Sequence, residues 1–389
     1  MVNNPALRSS REYSLQGMTA LSATLALVFF LILSIPVTSL AAVTGPCVNC
    51  HTMHNSQGGS AMATYGADGK PWKGTSPLPA LTRGTCLGCH GYGGAQKIVT
   101  IGGSGIPQVY HTDGSDLAGG NFAYILGAKG SGASDAKGHN VKDIVDSDDV
   151  LDAAPGLMPA SGHSSIITDT NLTCAGYIGC HGNRYQAIGT GVAALKGAHH
   201  GNVDGVCDTA DTVANSYRFL LGVKGLENTG ASKWQNASSG DHNEYFGATT
   251  PMNVSCANTC HLTGGVQPPN KTISGFCATC HGQFHDQTEI GGTSSPFKRH
   301  PTDIRIKNEG EYAVSLRTYN PGAPVGRTSV YGAPSSAVTA DDVVTCLSCH
   351  AAHATNYPDL LRWDYTTMIA GGGSNTTGCF TCHTQKDNP

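Results

Sequence analysis

Hydrophobic residues are unevenly spread along this chain of 389 residues. One long apolar run, from Ala20 to Ile35, follows a basic start that contains Arg8 and Arg11. Pro36 ends the run, and Ser39-Leu40-Ala41 supplies the small residues of a cleavage site. The pattern predicts a signal peptide over residues 1–41 and a mature chain from Ala42. An uncleaved anchor is the alternative for an apolar run of this length. No second apolar stretch approaches membrane-spanning length, so no membrane span is expected in the mature chain.

Beyond Ala42, neither helical nor strand periodicity lasts long. Thr212 to Val223, with Tyr217, Phe219, Leu220 and Leu221, predicts a helix, and Leu360, Leu361 and Trp363 predict a shorter one. Gly102-Gly103-Ser104-Gly105 and Gly127-Ala128-Lys129-Gly130 read as loops. Asp143, Asp146, Asp148, Asp149 and Asp152 read as a solvated loop; calcium is the alternative, although the spacing is not that of an EF-hand. No fixed-period repeat is evident. Three regions follow the signal: 42–157, 158–250 and 251–389. The expected fold is mostly irregular coil with short helices and few short strands.

Composition makes that irregularity a problem. The chain has 51 glycines, 7% aromatic residues and 13% charged residues, thin material for a large core of its own. The cysteines resolve it. Cys-x-x-Cys-His occurs at Cys47-Cys50-His51, Cys86-Cys89-His90, Cys277-Cys280-His281, Cys346-Cys349-His350 and Cys379-Cys382-His383. This is the attachment signature of c-type haem, in which two thiols add across the vinyl groups and the histidine ligates iron. Zinc would need closed four-ligand sets, and a disulfide framework has no use for the histidine. Broad haem faces then supply the missing core, and the chain wraps a stacked chain of c-type haems. The formal charge of −4 excludes the haem propionates, so the loaded protein is acidic and nucleic acid is not an expected partner.

Two further motifs are widened. Cys174 precedes Cys180-His181 by five intervening residues, and Cys256 precedes Cys260-His261 by three. If the extra residues bulge out, both sulfurs still reach the vinyls, giving seven haems from fourteen of the fifteen cysteines. Region 42–157 then carries two motifs, 158–250 one and 251–389 four. Cys207 is left over, as a small buried residue or an alternative partner for Cys174 or Cys256.

Histidines provide the second signal. Seven of the 17 are proximal ligands: His51, His90, His181, His261, His281, His350 and His383. Among the rest, His54, His139, His200, His242, His285, His300 and His353 are the expected distal ligands, with His111, His163 and His199 as alternatives. Iron held by two imidazoles has no open position and passes electrons rather than binding substrate. No motif carries lysine in place of histidine, so no open catalytic haem is marked. His54, His285 and His353 lie too close to their own motifs to cross that haem, and each can ligate the next one instead.

The run Cys47-Val-Asn-Cys50-His51-Thr-Met-His54-Asn55-Ser56 carries a wider likeness, together with Gly138-His139-Asn140, Cys277–His281 with His285, Arg299-His300-Pro301, Cys346–Ala354 and Cys379–His383. In these the chain resembles the multihaem outer-surface cytochromes of metal-reducing bacteria, including the filament-forming hexahaem nanowires. The resemblance implies bis-histidine haems in a continuous stack and little regular secondary structure. It also implies that His54 ligates a haem of the adjacent subunit, so that the chain itself is a partner, beside other cytochromes and extracellular acceptors such as minerals. Seven haems rather than six, and two widened motifs, depart from that pattern. The expected function is exported electron transfer, outer-surface or extracellular. The alternatives are a multihaem reductase with one open haem and a monomeric periplasmic carrier.

Overall fold

In the computed structural model the described residues are 45–53, 55–62, 64–65, 70–71, 77–91, 94–101, 103–145, 147–157, 168, 170–181, 189–195, 220, 222–226, 237–250, 272–285, 299–312, 318–329, 333–371 and 376–386. The chain divides into two compact units, Met1–Ala41 and Ala42–Pro389, and all of these residues lie in the second. None of the described helices is long and apolar enough to cross a membrane.

Short elements dominate. Three α-helices are present among the described residues: α1 (Cys86–His90), α2 (Ile273–Ala278) and α3 (Cys346–Cys349). Each contains at least one cysteine of a haem motif. Thr272 caps α2 by accepting from the Gly275 amide at 3.0 Å, and Thr345 with Ser348 forms a capping box on α3. These caps fix where each motif begins its turn.

The strands are two to four residues long. β1 (Ser56–Gln57) pairs with β2 (Ser60–Ala61), β3 (Thr64–Tyr65) with β4 (Lys70–Pro71), and β5 (Ile98–Ile101) with β6 (Ser104–Pro107), all antiparallel. Part of the expected 102–105 loop is therefore the start of β6, and Gly103 enters it with φ of 91°. β7 (Thr173–Ala175) and β8 (Gly179–His181) pair in parallel. The largest sheet joins β9 (Val223–Lys224), β10 (Glu244–Phe246), β11 (Ile304–Arg305), β12 (Gly326–Arg327) and β13 (Val343–Val344) in the order β11-β13-β12-β10-β9.

One expected helix takes another form, and the other lies mostly outside the described residues. Val223 belongs to β9, and residues 212–219 of that segment lie outside the described residues. The apolar stretch at Leu360 is a single turn, Pro358–Leu360, with left-handed backbone at Asp359 and Leu360. Asp148 accepts from the Val150 and Leu151 amides at 2.8 and 2.7 Å, so that acid organises its own turn.

Among the described residues, three small apolar clusters stand in place of one large core. The first joins Val223, Tyr245, Ile273, Phe276 and Leu347, with Cys180 and Cys277 packed against it. A second gathers Leu87, Phe122, Tyr124, Ile125, Val141, Ile144 and Ala354, and a third Ile306, Tyr319, Val325 and Val344. The five-stranded sheet also encloses a charge set. Arg327 bonds Glu244 through Nε at 2.9 Å, bonds Asp342 through Nη1, and donates to the Ala337 and Ser335 carbonyls. All three side chains are buried. Removing one partner from such a set costs about 3–5 kcal/mol, because the other charges stay buried.

Candidate haem-binding sites

Each regular motif is one turn of helix. The histidine amide bonds the first cysteine's carbonyl in four of them: His51 to Cys47 at 2.8 Å, His281 to Cys277 at 3.0 Å, His350 to Cys346 at 3.1 Å and His383 to Cys379 at 3.0 Å. Residues three and four apart share a helix face, so both thiols and the imidazole turn the same way. In the fifth motif, α1 itself spans Cys86 to His90.

The widened motif at Cys174 solves the same problem with strands. Thr173 stands opposite Gly179, and Ala175 opposite His181, so Cys174 and Cys180 come side by side while the intervening residues loop away. The bulge expected from sequence is here a tight parallel pairing.

Hydrogen bonds select the ring nitrogen left for metal. Nδ1 faces a carbonyl in His51 (Ala80 O, 3.0 Å), His90 (Pro107 O, 2.8 Å), His281 (Pro155 O, 2.7 Å) and His350 (Asp359 O, 2.6 Å). The same holds for His139 (Ala352 O, 2.7 Å) and His300 (Pro301 O, 2.8 Å). In His383, Nδ1 meets the Glu311 carboxylate at 3.1 Å. A carbonyl can only accept, so Nδ1 carries the proton and the lone pair sits on Nε2, the form that ligates a metal. Burial, then the neighbouring His281, pushes His139 down to about 4; burial, then His181, pushes His353 down to about 3. Both rings are neutral at physiological pH, as ligation requires.

Three imidazole pairs stand out. His139 and His281 have ring centroids 6.2 Å apart, His181 and His353 6.1 Å, and His300 and His383 6.0 Å. Each pairs the histidine of a cysteine motif with one outside it.

His111 lies apart from these. It is fully buried, and neither ring nitrogen has a hydrogen-bond partner. Burying such a group without a bond costs on the order of 1–3 kcal/mol, and a metal bond would offset it. His242 differs again. Its Nδ1 meets the Ser238 carbonyl at 3.2 Å and its Nε2 meets Glu244 at 3.1 Å, while the ring stacks on Tyr319 at 3.5 Å. It can turn to an iron only by giving up Glu244. His242 lies just before β10 and Glu244 begins it, a pairing that gave no signal in the pattern of spare histidines.

Thiols of different motifs also meet. Cys50 lies within hydrogen-bonding reach of Cys89, Cys86 of Cys174, and Cys277 of Cys346. Cys86 and Cys174 open onto one cavity whose walls include Leu78, Pro79, Thr173 and Val192. Among the described residues no three of His, Cys, Asp and Glu converge as a metal cage, and the described cysteines are all free thiols. The donor set fits c-type haem: paired thiols on one face, Nε2 lone pairs beside them, and the orphaned buried imidazole of His111. Cys256, Cys260, His261, Cys207, His54, His163, His199 and His200 lie outside the described residues, as does the side chain of His285.

Comparison with known proteins agrees with this chemistry. Residues 336–388 match the family model of the doubled CXXCH motif, which takes in the Cys346 and Cys379 motifs. The C-type cytochrome OmcS of Geobacter sulfurreducens is 25% identical over 378 residues, covering 85% of this chain and 82% of that protein. The chain carries the doubled CXXCH motif and is a distant relative of the C-type cytochrome OmcS. Two solved structures are also similar. The OmcS nanowires of Geobacter sulfurreducens, seen by cryo-EM, give a TM-score of 0.42 at 20% identity, over 82% of this chain and 84% of that one. The outer membrane cytochrome S filament of Geobacter sulfurreducens gives 0.43 at 18% identity, over 86% and 87%. The sequence match to OmcS, over 85% of this chain, extends well beyond the matched motif pair.

Proposed function

We propose that this cytochrome is an exported heptahaem electron carrier whose irons are each held by two histidines. The three imidazole pairs carry this reading. Metal–imidazole bonds of about 2.0 Å place two rings on opposite sides of one iron with centroids roughly 6 Å apart. The separations of 6.0 to 6.2 Å match that geometry. His139 and His281 would hold one haem iron, His181 and His353 a second, and His300 and His383 a third. His111 takes another iron, and His242 is held by Glu244, which leaves nine spare histidines for seven sixth positions.

The haems supply a one-electron couple when bound; the protein fixes their spacing. Meeting thiols join the Cys47–His51 site to Cys86–His90, that site to Cys174–His181, and Cys277–His281 to Cys346–His350. Cys180 and Cys277 pack on one apolar cluster, which links the two halves. Rings anchored through touching thioether edges are close enough for electrons to pass between them. Among the described motifs, the run of contacts follows sequence order from Cys47 to His350.

Carriage to extracellular acceptors, and assembly into filaments through His54, follow from the relationship to OmcS and from the repeated Cys-x-x-Cys-His-x-x-His at Cys47–His54 and Cys346–His353. Intact mass of the secreted holoprotein tests the count. The expected mass is the chain from Ala42 with seven haems. Five haems would remove both widened motifs from the account.

A further inference from the structure

Two haem motifs are closed by the same device. After Cys47–His51 comes Pro79-Ala80-Leu81-Thr82-Arg83, and after Cys346–His350 comes Pro358-Asp359-Leu360-Leu361-Arg362. Both read Pro-x-Leu-x-Arg. In each, two consecutive residues take left-handed backbone: Ala80 and Leu81 at φ of 59° and 54°, Asp359 and Leu360 at 58° and 57°. Non-glycine residues adopt that conformation at a cost of about 1 kcal/mol or more apiece, so holding four of them there needs compensation.

The compensation is a matched set of bonds to the motif. The carbonyls of Ala80 and Asp359 accept from Nδ1 of His51 and His350. Thr52 donates to Leu81 and Ala351 to Leu360, at 2.7 and 3.0 Å. Arg83 and Arg362 donate their amides to the second cysteines, Cys50 and Cys349, at 3.0 and 2.9 Å. Each arginine side chain then reaches back over its motif, Arg83 Nη1 to Asn49 O at 3.1 Å and Arg362 Nε to Leu347 O at 2.9 Å.

Arg362 also carries a buried group that these bonds leave unused. Its Nη2 is buried and has no hydrogen-bond partner. A guanidinium donor buried without an acceptor is costly, and a planar carboxylate is the acceptor its fork matches best. Haem brings such carboxylates as its two propionates. Nε is fixed over Leu347, between the two cysteines that bind the vinyl edge of their own ring. The propionates of that ring leave from the opposite edge, whereas those of a neighbouring ring can reach this one.

We propose that Arg362 binds a propionate of the haem adjacent to the Cys346–His350 site, and that the Pro-x-Leu-x-Arg strap exists to hold it there. The strap thus ties two rings together through one arginine: by its backbone to one motif and by its guanidinium to the next ring. Arg83 occupies the equivalent place at the Cys47–His51 motif.

The inference rests on the haem reading, so haem content is measured first in every sample. In Arg362→Gln the amide can still donate to Leu347 O but the charge is gone. With seven haems attached, spectroelectrochemical titration should show one haem moved to lower potential, with its reduced-to-oxidised ratio at a fixed applied potential reduced roughly tenfold. That haem's potential should also gain a dependence on pH in the carboxylate range. Arg362→Lys, which keeps the charge, should restore the potential while shifting the propionate band in the reduced-minus-oxidised infrared spectrum. Unchanged potentials in a fully loaded Gln variant would overturn the assignment, as would equal shifts in Gln and Lys. If the Gln variant does not mature, the infrared band of Arg362→Lys decides: a shifted propionate band supports the pair, and an unmoved one overturns it. A wild-type protein without haem would instead defeat the reading beneath it.

Discussion

Substituting His139 by alanine will open one iron to carbon monoxide. The ring of His139 is held by Ala352 at 2.7 Å and faces His281 at a centroid separation of 6.2 Å. Without it, the iron held by His281 loses its sixth ligand and becomes high-spin. The reduced, fully loaded His139→Ala protein should take up about one carbon monoxide per chain, where the parent takes up none, and added imidazole should reverse the change. Loss of a buried ring should also lower stability by about 2–5 kcal/mol. His242→Ala is the control. That ring is tied to Glu244 and Ser238, so its loss should cost stability and leave carbon monoxide uptake at zero. Uptake in the control and none in His139→Ala would reverse the ligand assignment.

The second large effect belongs to His54. Its counterpart in the repeated motif, His353, sits 6.1 Å from His181, the histidine of a different motif. Under the proposed assembly, the ring that His54 serves comes from another subunit. His54→Ala should retain seven haems, fail to form filaments, and gain about one open iron per chain. A coordination bond worth only about 3 kcal/mol net already changes association roughly a hundredfold. Negative-stain images of the secreted variant check this, and filaments of normal length would refute the inter-subunit ligand.

What could be read in the sequence follows from which interactions are local. The attachment motifs were legible because two thiols and an imidazole must share one helical turn, and α1, α2 and α3 each carry at least the first of these cysteines. The irregular fold was legible for a related reason: residues that pack on haem need no period of their own. Where local pattern did mislead, backbone geometry explains it. Leu360, Leu361 and Trp363 look helical, yet Pro358 starts a turn that runs into left-handed backbone and ends in a strap over Cys349. Val223 looks like the end of a helix, but the edge of β10 pairs with it. The strap repeat stayed hidden because its arginine falls thirty-two residues after His51 and only twelve after His350. Distal pairings such as His139 with His281 were beyond reach, since 142 residues separate the two rings in sequence.

The central claim is that every iron is closed, which makes the chain a conductor and not a reductase. Carbon monoxide titration of the assembled wild-type protein, reduced as secreted, tests it most directly. The account predicts an unchanged Soret band and no uptake. Binding of about one equivalent or more per chain would contradict it and mark an open haem where substrate could react.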